Sequence, residues 1–256
     1  MTFDANGGKI GTGATTHIDA YYDDTLESLK SQFPVATMTG YTLQGWFTMQ
    51  VGGIQLPNNL KVFGNATYYA HWTPNKYTIR FHHNVSTDYY NGEVKCGDTN
   101  VDKTYYYEQE MTYGVAKHLL SNKYTRKHVV SFNKRVAEQP ESYITVSPGT
   151  AHAVATFDGW ATSPDGVKTY KDGQYVSNLT DGGVFDLYAV WIPGSVTLAD
   201  ASSRGGWDFG GWITGGSSPI AVGMPGEKYG NVTGPTALYT TWIDRRIKVT
   251  YHRNFN

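Results

Sequence analysis

The sequence predicts an α+β chain that is mainly β and built of small tandem modules, and two observations carry that expectation. The first is an internal repeat, which must be read before any single motif. Gly40-Tyr41-Thr42-Leu43-Gln44-Gly45-Trp46 and Tyr68-Tyr69-Ala70-His71-Trp72 return as Phe157-Asp158-Gly159-Trp160 and Leu187-Tyr188-Ala189-Val190-Trp191. They return again as Gly206-Trp207-Asp208-Phe209-Gly210-Gly211-Trp212 and Leu238-Tyr239-Thr240-Thr241-Trp242. The steps from Trp46 to Trp72, Trp160 to Trp191 and Trp212 to Trp242 are of similar length, and every tryptophan but Trp207 holds an equivalent place. The second observation is composition: the repeated ends are short aromatic and β-branched runs bounded by Gly, Pro and Asn, the signature of strands.

Gly45, Gly159 and Gly211 each precede a tryptophan by one residue. Inside a strand, such a glycine marks a bulge or a close approach by another group. Large aromatics dominate core energetics, so Trp46, Trp72, Trp160, Trp191, Trp212 and Trp242 are the expected structural core of the repeats, each pair mostly buried within its own module. The competing reading is an aromatic ligand platform.

In the first module (1–74), Thr2 to Asn6 is a strand running into the turn signal Asn6-Gly7-Gly8. Thr15 to Tyr22 alternates as a second strand. Leu26, Leu29 and Phe33 share one helical face, with Asp24 or Thr25 as N-cap and Pro34 as the stop. Gly52-Gly53 and Pro57-Asn58-Asn59 mark loops before the closing strand. Strand, strand, helix, strand, strand is the order of a β-grasp-like unit.

Thr73-Pro74-Asn75-Lys76 is a short linker, too short for the freedom of a long Gly/Ser tether. The second module (75–193) reopens with Tyr77 to Asn84 and passes through a polar loop containing Cys96 to a strand around Thr104–Gln109. Val115 to Leu120 occupies the slot of the helix. Then come extra residues: His128-Val129-Val130-Ser131-Phe132-Asn133 and Tyr143-Ile144-Thr145-Val146 are strand-like, with Lys134, Arg135, Glu138 and Glu141 between them. This reads as an inserted, charge-tipped hairpin near 128–150, dispensable to the module and the candidate partner-binding insertion, since surface insertions carry function.

The truncated third module (194–244) lacks an opening strand and a helix. Roughly fifty residues of that kind bury little apolar surface alone, so it must lean on something. Residues 245–256 resemble a module start, with Ile247, Val249 and Tyr251 on one face by two-residue alternation. They are expected to fold back into the vacant slot of the third module.

The pattern Thr2-Phe3-Asp4-Ala5-Asn6-Gly7-Gly8, then Gly40-Tyr41-Thr42 with Gly45-Trp46, then Tyr69-Ala70 with Trp72 resembles the Listeria/Bacteroides surface repeat, also called the internalin B-repeat. That repeat occurs in tandem in bacterial cell-surface proteins. The resemblance covers residues 2–73, the two ends of the second module and the third from its middle onward, and it says least at 128–150. It implies small β-grasp-like modules, each a curved mixed sheet on one short helix, and surface display and adhesion rather than catalysis.

Bulk properties set limits on function. The chain has 256 residues with 21 Lys+Arg, 22 Asp+Glu and a net charge of −1, which gives no electrostatic case for nucleic acid or an anionic membrane. No apolar run reaches the length of a membrane span. The single Cys96 argues against a disulfide-stapled scaffold. Met1 leads directly into a strand pattern with no signal peptide, which reads as a monomeric piece of a longer chain whose signal and anchor lie elsewhere.

Chemical motifs are sparse. His82 and His83 are adjacent on a strand and face opposite ways, so they cannot chelate one metal. Asp23 and Asp24 suit a helix start. Cys96 lacks a thiolate-activating neighbour, and Asp158 reads as a strand-edge residue rather than an acid catalyst. The Asn-x-Ser/Thr triplets at Asn65, Asn84, Asn178 and Asn231 are acceptors only in a eukaryotic secretory protein. No nucleotide, nucleophile or zinc signature appears, so no cofactor, metal or catalytic residue is expected.

The resulting expectation is a stalk or spacer with an adhesive surface, extracellular on a bacterial cell, meeting a host or cell-surface protein or a glycan. The alternative is a carbohydrate-binding module string of a secreted glycosidase, which would show a strip of exposed aromatics backed by Asp, Asn or Arg.

Overall fold

Alternating apolar and polar residues put most of the chain into strands. The computed structural model describes residues 1–57, 59, 61–84, 95–96, 106–134, 145–202, 206–245 and 249–251. It is mainly β, with curled mixed sheet and one short helix among the described residues.

The first repeat contains β1 (Thr2–Asp4), β2 (Lys9–Ile10), β3 (Thr15–His17), α1 (Leu26–Leu29) with a following 3-10 turn (Lys30–Gln32), β4 (Ala36–Thr37), β5 (Tyr41–Phe47) and β6 (Thr67–Pro74). Thr25 is the N-cap, its side chain accepting from the Ser28 backbone N–H at 3.3 Å. From Lys76 to Ile192 follow β7 (Lys76–His82), β8 (Lys95–Cys96), β9 (Tyr106–Thr112), β10 (Lys117–His118), β11 (Tyr124–Asn133), β12 (Thr145–Ser147), β13 (Thr150–Ala161), β14 (Tyr175–Val176) and β15 (Gly183–Ile192). The remainder holds β16 (Gly194–Thr197), β17 (Asp200–Ser202), β18 (Trp207–Thr214), β19 (Ala221–Gly223), β20 (Lys228–Val232) and β21 (Thr236–Asp244).

These elements form two compact units. One comprises Met1–Phe81, Tyr106–Leu120 and Gly173–Leu187. Its first sheet has the order β3-β1-β6-β5, with β1 parallel to β6 and the other pairs antiparallel. Phe3, Ala36, Trp46, Tyr68 and Ala70 form one core there, and Leu26 and Leu29 of α1 close a second with Val62. The strand β7 follows β6 after Asn75 alone, and that residue is held on every side. Its N–H donates to Gly40 O and its carbonyl accepts from Tyr113 N–H, both at 2.8 Å. Its side chain accepts from Thr42 Oγ1 and donates to Asp181 O, both at 2.7 Å. The short linker is therefore a clamped joint.

Residues 115–120 are not the helix expected of them. Lys117 and His118 form β10 and pair antiparallel with β14, and Leu119 N–H donates to Gln174 O at 2.9 Å. Six residues gain too few helical hydrogen bonds to offset the cost of nucleation, and β14 offers partners at once.

The other unit comprises His82–Tyr105, Ser121–Asp172 and Tyr188–Asn256. Its main sheet runs β19-β18-β21-β11-β13-β15, with β8 antiparallel to the start of β11. Here β11 lies between two partners, antiparallel to β13 through Arg126–Ser131 and parallel to β21 through Val130–Asn133. The pairing Phe132↔Leu238 repeats Phe3↔Tyr68 of the first repeat. Phe132 meets Trp212 edge-on at 4.9 Å, as Phe3 meets Trp46 at 4.9 Å. The opening strand of the third repeat is thus present, and it comes from the stretch 128–150. Val130, Phe132 and Ala153 are buried in one core with Val196, Leu198, Trp212 and Leu238, so this part of the stretch is built into the sheet rather than projecting from it. The slot expected to receive residues 245–256 is filled by β11; Val249, Thr250 and Tyr251 carry no strand and lie exposed, while residues 246–248 and 252–256, Ile247 among them, lie outside the described residues. Among the described residues the third repeat has no helix.

Candidate functional site

The repeated tryptophans divide into two positions with different surroundings. Trp46, Trp160 and Trp212, which follow glycine, are buried. Each glycine sits at a register shift, between Leu43 and Gly45, Phe157 and Gly159, and Phe209 and Gly211. Gly159 has φ +153°, and a Cβ there would lie 2.5 Å from the Tyr170 carbonyl oxygen. Such a bulge re-aims the next side chain, turning the indole inward.

The tryptophan of the closing strand performs another task. Trp72 and Trp191 are partly buried and Trp242 buried. Trp72 Nε1 donates to Ala5 O at 2.9 Å and Trp191 Nε1 to His83 O at 3.0 Å, each the carbonyl just before Asn6 or Asn84. Those asparagines take left-handed conformations, φ +47° and +55°, and donate through Nδ2 to Ala70 O and Ala189 O at 2.9 and 3.0 Å. Asn and Asp tolerate that region better than other side chains. Asn6 and Asn84 therefore lock the opening strand to the closing strand. In the third repeat Asn133 Nδ2 donates to Leu238 O at 3.3 Å, and Trp242 Nε1 donates instead to Thr240 Oγ1 at 3.1 Å.

His82 stacks on Tyr188 with centroids 4.6 Å apart, while His83 is buried edge-on to Tyr124. Burial foremost, and then the charges of His82 and Arg126, lower His83 to about 4. Arg126 Nε donates to His128 Nε2 at 3.1 Å, and burial, then Arg126, lowers His128 as well. This pair of neutral imidazoles supports packing. Asp158 is engaged by Lys168 at 2.5 Å. Asp24 Oδ2 accepts from Tyr21 N–H at 2.7 Å and Asp23 faces Lys61 at 3.5 Å. Cys96 lies in β8. No group of three or more His, Cys, Asp or Glu that could hold a metal occurs among the described residues.

Of the charged residues assigned to partner binding, Lys134 follows β11 and is exposed. Arg135, Glu138 and Glu141 lie outside the described residues. A surface that sequence reasoning missed lies in the first repeat, where Tyr22 and Phe63 meet edge-on at 5.8 Å and both face solvent. Phe63 sits in a loop and no periodicity marks it.

Residues 1–71 match the Listeria-Bacteroides repeat domain family. No curated protein and no solved structure matches the chain.

Proposed function

We propose, from the Listeria-Bacteroides repeat domain at residues 1–71, that the chain is a repeat segment of a bacterial surface protein, a non-catalytic stalk or spacer that also offers an adhesive surface. Its repeats are read as β-grasp-like modules displayed outside the cell, the third interleaved with the second through β11. The clamped joint at Asn75 supports the spacer role, because one residue held by four hydrogen bonds transmits tension without a slack tether. The stretch around Lys134, Arg135, Glu138 and Glu141 remains a surface for partner contact in this reading, facing a host or cell-surface protein or a glycan.

The test is labelling of intact producing bacteria with antibody raised against the full chain, paired with attachment of a strain lacking it. Labelling without permeabilisation and loss of attachment are expected. Labelling only after the envelope is opened would overturn the reading.

A further inference from the structure

The first repeat presents rings that its own cores do not use. Tyr22 is 73% and Phe63 63% exposed, and the neighbouring Tyr21 82%. None of the three belongs to the cores around Trp46 or Leu26. Exposed apolar clusters rimmed by polar groups mark binding sites. Here the rim is Asp23 and Lys61, an ion pair whose side chains are both about half exposed.

The two loops that carry the rings are tied together through backbone. Asp23 N–H donates to Val62 O at 3.0 Å and Val62 N–H to Asp24 O at 2.9 Å, and Thr25 bridges to Lys61. The rings are therefore presented on a fixed frame, and a ligand would not have to order the backbone that carries them.

We infer that Tyr22 and Phe63, with Tyr21 beside them and Asp23 and Lys61 at their edge, form a binding platform for an uncharged sugar. Three observations select that ligand. Aromatic faces are negative, and the C–H side of a sugar ring carries partial positive charge, so the two stack. The Lys61 ammonium donates and the Asp23 carboxylate accepts, which meets hydroxyl groups that do both. Their charges cancel, leaving no preference for an anion or a cation. The size of the patch suits a sugar: three aromatic side chains bury about 450–750 Å² even when fully covered, below the roughly 800 Å² per partner of a standard stable protein interface.

The inference rests on the adhesion reading above and names the ligand class of one surface. The full chain, labelled with a fluorophore, is applied to an array of neutral, sialylated and sulfated glycans, and a retained neutral oligosaccharide is titrated by calorimetry. Retention of neutral glycans is expected, with at least a ten-fold loss of affinity in Tyr22→Ala/Phe63→Ala at unchanged melting temperature. Tyr22→Phe should bind nearly as the parent, and Lys61→Met, which removes the donor at the rim, should lose affinity with the rings intact. Val51→Ala, an exposed change elsewhere in the repeat, should have no effect. Retention of acidic glycans alone, retention of none, or equal binding by the ring variant would each overturn the inference. Because the assay uses purified chain, silence on the array with surface labelling intact would end this inference and leave the adhesion reading standing.

Discussion

A buried indole and a bracing indole should respond differently to substitution. Trp160→Ala empties a fully buried site and should cost about 3–5 kcal/mol, read as a lowered urea midpoint. Trp191→Phe keeps most of the ring and loses the bond to His83 O, so about 1 kcal/mol is expected; equal losses would contradict the division of tasks. Acid should act through His83. In the fold it stays neutral down to about 4, whereas unfolded it takes its proton near 6.5. Between those values the unfolded state binds more protons, so stability rises with pH through that window and is lost on acidification. Urea midpoints measured from pH 4.5 to 7 should show this slope, and His83→Gln should flatten it, with His128 adding a slope of the same sign. The bulge at Gly159 was legible because glycine before tryptophan recurs three times. The lock formed by Asn6 was not, since Asn-Gly reads locally as a hairpin turn while its side chain reaches Ala70.

At the level of elements, β11 decides what the stretch 128–150 does. Removing residues 128–150 deletes the strand between β13 and β21 together with Val130 and Phe132. The deleted chain is expected to lose near-ultraviolet signal from Trp212 and to expose apolar surface to a dye; a native-like spectrum would show that β11 is dispensable. Alternation in His128 to Asn133 revealed a strand, as it should. What it could not reveal was the partner, because parallel strands join through long crossovers and Leu238 stands far along the chain from Phe132. The short run Val115 to Leu120 failed for a related reason: its apolar residues fit a helix turn, and only β14, again distant in sequence, settles it as strand. Elements built from local signals were legible in the letters: β5 and β6 as strands, and a helix starting at Asp24 or Thr25, of which the structure selects Thr25 as the cap and ends the α-helix at Leu29.

For the molecule as a whole, sequence order and spatial order part company at β11. The third repeat begins, in space, with a strand that precedes the Gly-Trp strand of the second, so the two cannot be removed or exchanged one at a time. A break engineered between β11 and β13 would leave a fragment ending in a single strand and another holding both β13 and β21, the edges that strand occupies. Such halves are self-complementing through β11, and also through β10–β14 and the Asn84–Ala189 bond: co-expressed as residues 1–140 and 141–256, they should elute together from a sizing column, and Phe132→Asp should lower the urea concentration at which they come apart. A chain of this kind survives a cut in its backbone as a non-covalent pair, a form of damage tolerance that repeats strung end to end do not possess.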